Sequence, residues 1–265
     1  MSISSDLIYR RINNFWGYGN LKAPVWIIGM EEGFTGSLES LEQRFKNADG
    51  KITIDVKDDM LNVKDHIRFF QDGAPIQPYF KFPICLYLAL TIENFNKLSR
   101  KELTGKIRDY QINKLSRMDG GTVSLELMPL PVNKINEKAW LKLYPQFDIP
   151  ELQTKRLYLE KFKPERDRKL KELIEEYKPR LVIFNSGSEE YKATWRQIIP
   201  GQFKEITRGM YACYQNGTTY CILPQRINRK PGYKPAFQAA GLSYERVIDF
   251  ALKIKDKMFL RSEEK

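Results

Sequence analysis

Apolar residues along this chain gather into short runs that break at glycine, proline and paired polar residues. The spacing inside each run predicts the element it forms. Val25-Trp26-Ile27-Ile28-Gly29 is continuous, as in a strand buried on both faces. It is entered through Lys22-Ala23-Pro24 and is expected to end at Gly29, leaving Met30-Glu31-Glu32-Gly33 as a loop at the carboxyl edge of a sheet. Residues 122–128 alternate as a strand and are expected to stop at Pro129-Leu130-Pro131, because proline has no N–H for a sheet ladder. Arg180-Leu181-Val182-Ile183-Phe184 is a β-branched strand. Before it, Pro164 and Glu165 open a helix whose Leu170, Leu173, Ile174 and Tyr177 share one face. After it come Asn185-Ser186-Gly187-Ser188 and a helix over 189–198. Helix, strand, polar glycine loop and helix together form the repeating unit of a parallel α/β sheet. Residues 210–215 and 218–223 read as strands paired through Asn216-Gly217, a type I′ hairpin signal.

Weaker patterns fill the gaps. Helices are expected over 6–15, over 82–98 entered through Pro83, and over 243–258, with a frayed tail at 261–265. Residues 16–20 read as a loop, and 132–162 as a mixed, aromatic-containing connection. The polar stretch 34–75 has a turn at Asn47-Ala48-Asp49-Gly50 and reads as an insertion carrying a helix near 60–70. No repeat or low-complexity linker divides the chain, so one domain over 1–265 with an insertion at about 34–75 is expected.

Composition narrows the classes. Hydrophobic residues make up 42% of the 265, as in a globular chain with a sizeable core. No run of 18 apolar residues predicts a membrane helix, and residues 1–11 lack the apolar centre of a signal peptide, so a cytoplasmic protein is expected. Cys85, Cys213 and Cys221 are expected to be buried free thiols, although Cys213 and Cys221 flank the hairpin turn. His66 is the only histidine and reads as a surface residue, so neither a metal site nor a cofactor is expected. No G-x-S-x-G, P-loop or H-E-x-x-H occurs. The net charge is +11. Residues 222–235, ILPQRINRKPGYKP, hold Arg226, Arg229, Lys230 and Lys234, an interleaved tyrosine and no acid, which suits a nucleic-acid backbone.

Candidate chemistry lies where the strands end. Glu31 and Glu32 can stabilise a cation and orient water, or simply terminate a strand. Asn185, Ser186 and Ser188 can bind phosphate or cap the following helix. Tyr79 and Phe80, and likewise Trp16 and Tyr18, can line a cleft or belong to the core.

The order of these parts resembles the uracil-DNA glycosylase superfamily. Gly29-Met30-Glu31-Glu32-Gly33 is similar to the family's first catalytic loop, Gly-Met-Asn-Pro-Gly in its single-strand-selective branch, with Glu31 at the catalytic polar position. Lys178-Pro179-Arg180-Leu181-Val182-Ile183-Phe184-Asn185-Ser186-Gly187 resembles the third strand and its glycine, and Cys221-Ile222-Leu223-Pro224 the last strand before the second catalytic loop. The resemblance implies a three-layer α/β/α sandwich with a mainly parallel sheet, DNA as partner, and hydrolysis of the N-glycosidic bond of a damaged or deaminated base. It implies substrate contacts from Gly29, Met30, Gly33, Tyr79, Phe80, Glu126, Asn185, Ser186 and Ser188, and catalysis by Glu31 and Glu32 with Arg226. Gln225, Arg229, Lys230 and Lys234 would meet the nucleic acid. The chain departs from the family twice. Leu223-Pro224-Gln225-Arg226 lacks the histidine that stabilises the leaving base, which leaves Gln225 or Arg226 as donor. Glu126 replaces the base-reading asparagine and is expected to accept from a base amino group. Two alternatives stay open: a nucleic-acid-binding protein of this fold without catalysis, and a nucleotide-processing enzyme.

Overall fold

The computed structural model describes residues 3–34, 37–61, 67–132, 137–185, 189–224 and 242–259. Their strands are β1 (Gly17–Tyr18), β2 (Val25–Gly33), β3 (Thr53–Ile54), β4 (Thr122–Val132), β5 (Leu181–Phe184), β6 (Lys204–Thr207), β7 (Met210–Gln215) and β8 (Thr218–Ile222). The α-helices are α1 (Ser5–Asn14), α2 (Leu38–Asn47), α3 (Val56–Met60), α4 (Lys81–Thr91), α5 (Arg100–Asn113), α6 (Glu137–Leu141), α7 (Lys155–Tyr177), α8 (Glu189–Ile198) and α9 (Tyr244–Phe259).

One mixed sheet runs in the order β3-β1-β4-β2-β5-β8-β7-β6. Its centre is parallel: Val25 lies between Thr122 and Leu181, and Leu181 in turn beside Thr219. Antiparallel pairs flank it, β1 against β4 and β6-β7-β8 on the other side. The pleat sends alternate side chains to opposite faces. Trp26, Ile28, Val123, Leu125, Val182 and Phe184 share a core with residues of α1, α2, α7 and α8. Val25, Ile27, Leu181, Ile183 and Cys221 share another with residues of α4, α5 and α9. Apolar side chains on both faces explain why the central runs are continuous.

Several boundaries differ from expectation. The helix expected over 82–98 spans Lys81–Thr91. β2 continues through Gly33, so Met30, Glu31 and Glu32 belong to a strand and not to a loop. β4 continues through Pro129 and Pro131 to Val132. The ladder with β2 shifts register there, from Glu31↔Met128 to Gly33↔Val132, so the missing N–H groups fall where pairing is already interrupted. α7 begins at Lys155, capped by the Thr154 hydroxyl, and runs through Pro164. Elsewhere, the expected connector before β4 contains α5, opened by a Ser99–Glu102 capping box.

The stretch expected as an insertion is woven into the fold. β3 extends the sheet beyond β1, and Ala48, Ile54, Val56, Met60, Phe69 and Phe70 pack with Phe15 and Tyr18. The helix expected near 60–70 falls largely on 62–66, including His66, which lies outside the described residues, as does the 261–265 tail.

Arg166 of α7 is a buried cation held without a carboxylate. Its guanidinium donates to the carbonyls of Leu127, Ile12 (2.8 Å), Phe15 (3.1 Å) and Glu126 (3.0 Å). It also lies 3.6 Å above the centre of the Trp16 ring. Burial pushes its pKa down.

The hairpin forms as expected, with Asn216 at φ 53° and Gly217 at φ 82°. A Cβ on Gly217 would meet nothing within 4 Å, so Gly217→Ala isolates the conformational cost. About 1 kcal/mol of stability should be lost, read as a lower urea midpoint at unchanged slope. Cys85, Cys213 and Cys221 are free and buried, and burial pushes the Cys85 thiol up to about 12. Among the described residues, no helix is long and apolar enough to cross a membrane.

Candidate functional site

β5 ends at Phe184, opposite Ile28, while β2 and β4 run on past it through Gly29 and Glu126. Register places Gly29 beside Glu126, and the Asn185 N–H donates to the Ile28 carbonyl at 2.8 Å. Glycine is required at 29, since a Cβ there would overlap the Tyr79 hydroxyl and stand 2.5 Å from Glu126 Oε2. Asn185 Nδ2 donates to the Tyr79 carbonyl at 2.8 Å, so the end of β5 holds this segment over β2. Tyr79 packs edge-on against Phe80, ring centres 4.8 Å apart, and Phe80 belongs to the core.

Glu126 is 7% exposed. Burial raises its pKa first, and the charges of Glu32 and Glu31 push the same way; Tyr79 and Arg44 oppose them weakly. The result lies well above the usual carboxylate range, so burial favours the uncharged form of Glu126. Burial and Glu126 also push the Tyr79 hydroxyl up. The Tyr79 hydroxyl and the Glu126 carboxyl face each other across Gly29 and each shifts the other's titration.

A raised folded pKa has a definite sign in stability. Below about pH 4.5 the Glu126 carboxyl is protonated in both states. Above that pH the unfolded chain releases the proton and the folded chain keeps it, so stability falls as pH rises towards the folded pKa. Glu126→Gln removes this term. The stability of the variant relative to the parent should therefore rise by up to about 1.4 kcal/mol per pH unit above pH 4.5, checked by guanidinium unfolding at pH 5 and pH 8.

Glu31 faces Lys155. The ammonium nitrogen Nζ is 2.7 Å from Oε1 and 2.9 Å from Oε2, and both residues are 8% exposed. Burial raises the Glu31 pKa, Lys155 opposes this by charge and hydrogen bond, and Glu190 adds to the rise. Lys155 is fixed at the start of α7 by its own N–H, which donates to Glu137 Oε1 at 3.0 Å.

Glu32 serves a different group. Its carboxylate takes Arg11 Nη2 at 2.9 Å, Arg44 Nη2 and the Tyr18 hydroxyl. Tyr18 also donates to Asp59 at 3.2 Å, and Asn47 reaches the same carboxylate at 2.9 Å. Burial pushes the Arg44 pKa down, and Glu32, Tyr18 and Asp59 overcome it, so the net shift is upward. This network binds α1, α2, α3 and β1 to the end of β2. Glu32 is thus a structural anchor here, in place of the catalytic role expected from the sequence.

Several expected cleft residues lie in the core. Met30 is buried on the α1/α2 side, Trp16 lies under Arg166, and Tyr18 is in the ion network. Gly33 ends β2 with nothing within 4 Å of an added Cβ. Ser186, Ser188, Gln225, Arg226, Arg229, Lys230 and Lys234 lie outside the described residues. The chain leading to them is placed: the Leu223 N–H donates to the Phe184 carbonyl at 3.0 Å. Sequence reasoning missed Lys155. The signal was a lysine directly after the helix-capping Thr154, where the helix dipole disfavours a cation. Among the described residues, no three metal-ligating side chains cluster. Comparison with protein-family models, curated proteins and solved structures finds no match.

Proposed function

We propose that this chain is a divergent member of the uracil-DNA glycosylase superfamily, a three-layer α/β/α protein that hydrolyses the N-glycosidic bond of a damaged or deaminated DNA base. The observation that carries the reading is the cluster at Gly29, where the buried Glu126 carboxyl and Tyr79 hydroxyl stand beside a glycine of β2 that leaves them room. Support also comes from topology. The segments that resemble the family's motifs belong to β2, β4, β5 and β8, which are neighbours in one parallel array.

In this reading the Glu31 carboxylate, held in place by Lys155, stabilises positive charge growing on the sugar and orients water. Glu126 reads the base. A neutral carboxylic acid offers one O–H and one C=O together, which matches a lactam edge with its N–H beside a C=O. That differs from the amino group expected when the acid is taken as ionised. Arg226 or Gln225 would meet the leaving base, and Arg229, Lys230 and Lys234 the backbone.

One observation favours a second reading, binding without catalysis: both Glu31 oxygens already lie on Lys155 Nζ. Base release from oligonucleotides carrying uracil, hypoxanthine, xanthine or alkylated bases decides between them. Release of a lactam base is the expected result. No release from any substrate, with salt-sensitive binding retained, would transfer the assignment to the silent relative.

A further inference from the structure

We propose a second activity for this site, cleavage of the DNA strand at an abasic position through a Schiff base formed by Lys155. The inference rests on the glycosylase reading, since it places the sugar beside Glu31. If Glu31 holds water for attack at the anomeric carbon, then Nζ, 2.7 Å from the same carboxylate, is within reach of that carbon too.

The setting favours amine chemistry. Lys155 and Glu31 are each 8% exposed, so the ions have lost most of their hydration. Amine chemistry needs a base for the Nζ proton, and the Glu31 carboxylate, 2.7 Å away, is at hand to take it. The raised Glu31 pKa agrees with this. Lys155 also occupies the first turn of α7, where a cation gains nothing from the helix dipole. A purely structural ion pair would be better placed with the carboxylate on the helix.

The steps balance with no outside oxidant or reductant. After base loss, the sugar opens to an aldehyde at C1′. Lys155 Nζ adds to that carbon and one of its protons passes to the carbonyl oxygen, giving a carbinolamine; the Glu31 carboxyl gives its proton to that hydroxyl, and water leaves as the C=N⁺ bond forms. The Glu31 carboxylate then takes a proton from C2′. The electron pair released forms a C1′–C2′ enamine, which expels the 3′ phosphate and restores the iminium. Water hydrolyses the conjugated iminium, returning the amine and freeing an unsaturated aldehyde on the 5′ fragment.

Borohydride trapping on an oligonucleotide with a preformed abasic site tests this without requiring base release. The full chain should give a covalent complex of one protein and one strand, with the crosslink on the peptide containing Lys155. Lys155→Arg keeps the positive charge and the Glu31 pairing but has no primary amine, so trapping should fall at least about 100-fold while the thermal midpoint is retained. Lys171→Met, at an exposed lysine of the same helix, should trap like the parent. Absence of trapping by the parent overturns the inference, and so does undiminished trapping by Lys155→Arg. Base release without trapping would leave the glycosylase standing and remove the lyase. Trapping without release of any base would do the reverse.

Discussion

Glu32→Ala lowers the unfolding free energy by about 3–5 kcal/mol, the cost of leaving buried positive charge without its partner. The size follows from what remains. Arg11 and Arg44 have side chains 1% and 0% exposed, and without Glu32 the nearest carboxylate to Arg44 is Asp59, at 3.8 Å. Arg44 already has two nitrogens, Nε and Nη1, without hydrogen bonds, so the network has no spare acceptor. Against a domain stability of about 5–15 kcal/mol this is a large fraction. Guanidinium unfolding measures it. Glu32→Gln should cost less, because its amide oxygen still accepts from an arginine and the volume is kept. A loss below about 1 kcal/mol for Glu32→Ala would refute the anchoring role, since exposed pairs are worth no more than that.

Under the proposed glycosylase function, Glu31→Gln acts on chemistry instead. Base release in single-turnover assays should fall by about 10²–10⁴-fold, the usual weight of a positioned acid–base group. Glutamine keeps the shape and can still accept from Lys155, but it carries no charge to stabilise the sugar cation or to polarise water. Oligonucleotide affinity should stay within about twofold, because the interaction removed belongs to the transition state. Equal loss of binding and rate would instead mark Glu31 as a part of the binding surface. Unchanged release would place the reacting water elsewhere.

These two glutamates show what the chain discloses by itself and what it does not. The four central strands and the Asn216-Gly217 hairpin were legible, because continuous apolar runs and a paired positive-φ turn are local signals. The carboxyl-edge position of Glu31 followed from the same run. The division of labour between Glu31 and Glu32 did not. It depends on Lys155, 124 residues away from Glu31, and on Arg11 and Arg44, which arrive from separate helices. Glu126 was read as an ionised acceptor, since nothing in its neighbours along the chain announces complete burial. Pro129, Pro131 and Pro164 misled for the opposite reason. Each is a strong local stop, yet a register shift in the sheet and the length of α7 absorb them.

The way Arg166 is held also sets a timetable for synthesis. Its guanidinium closes on the carbonyls of Ile12 and Phe15, 154 and 151 residues earlier in the chain. At about 5–20 residues per second, the segment carrying α1 and Trp16 is synthesised some 8–30 s before the arginine that fastens it. During that interval the Trp16 face and the carbonyls of α1 have no cation to meet. Early folding must therefore proceed around an unfinished corner, and the closing contact is among the longest-range in the molecule.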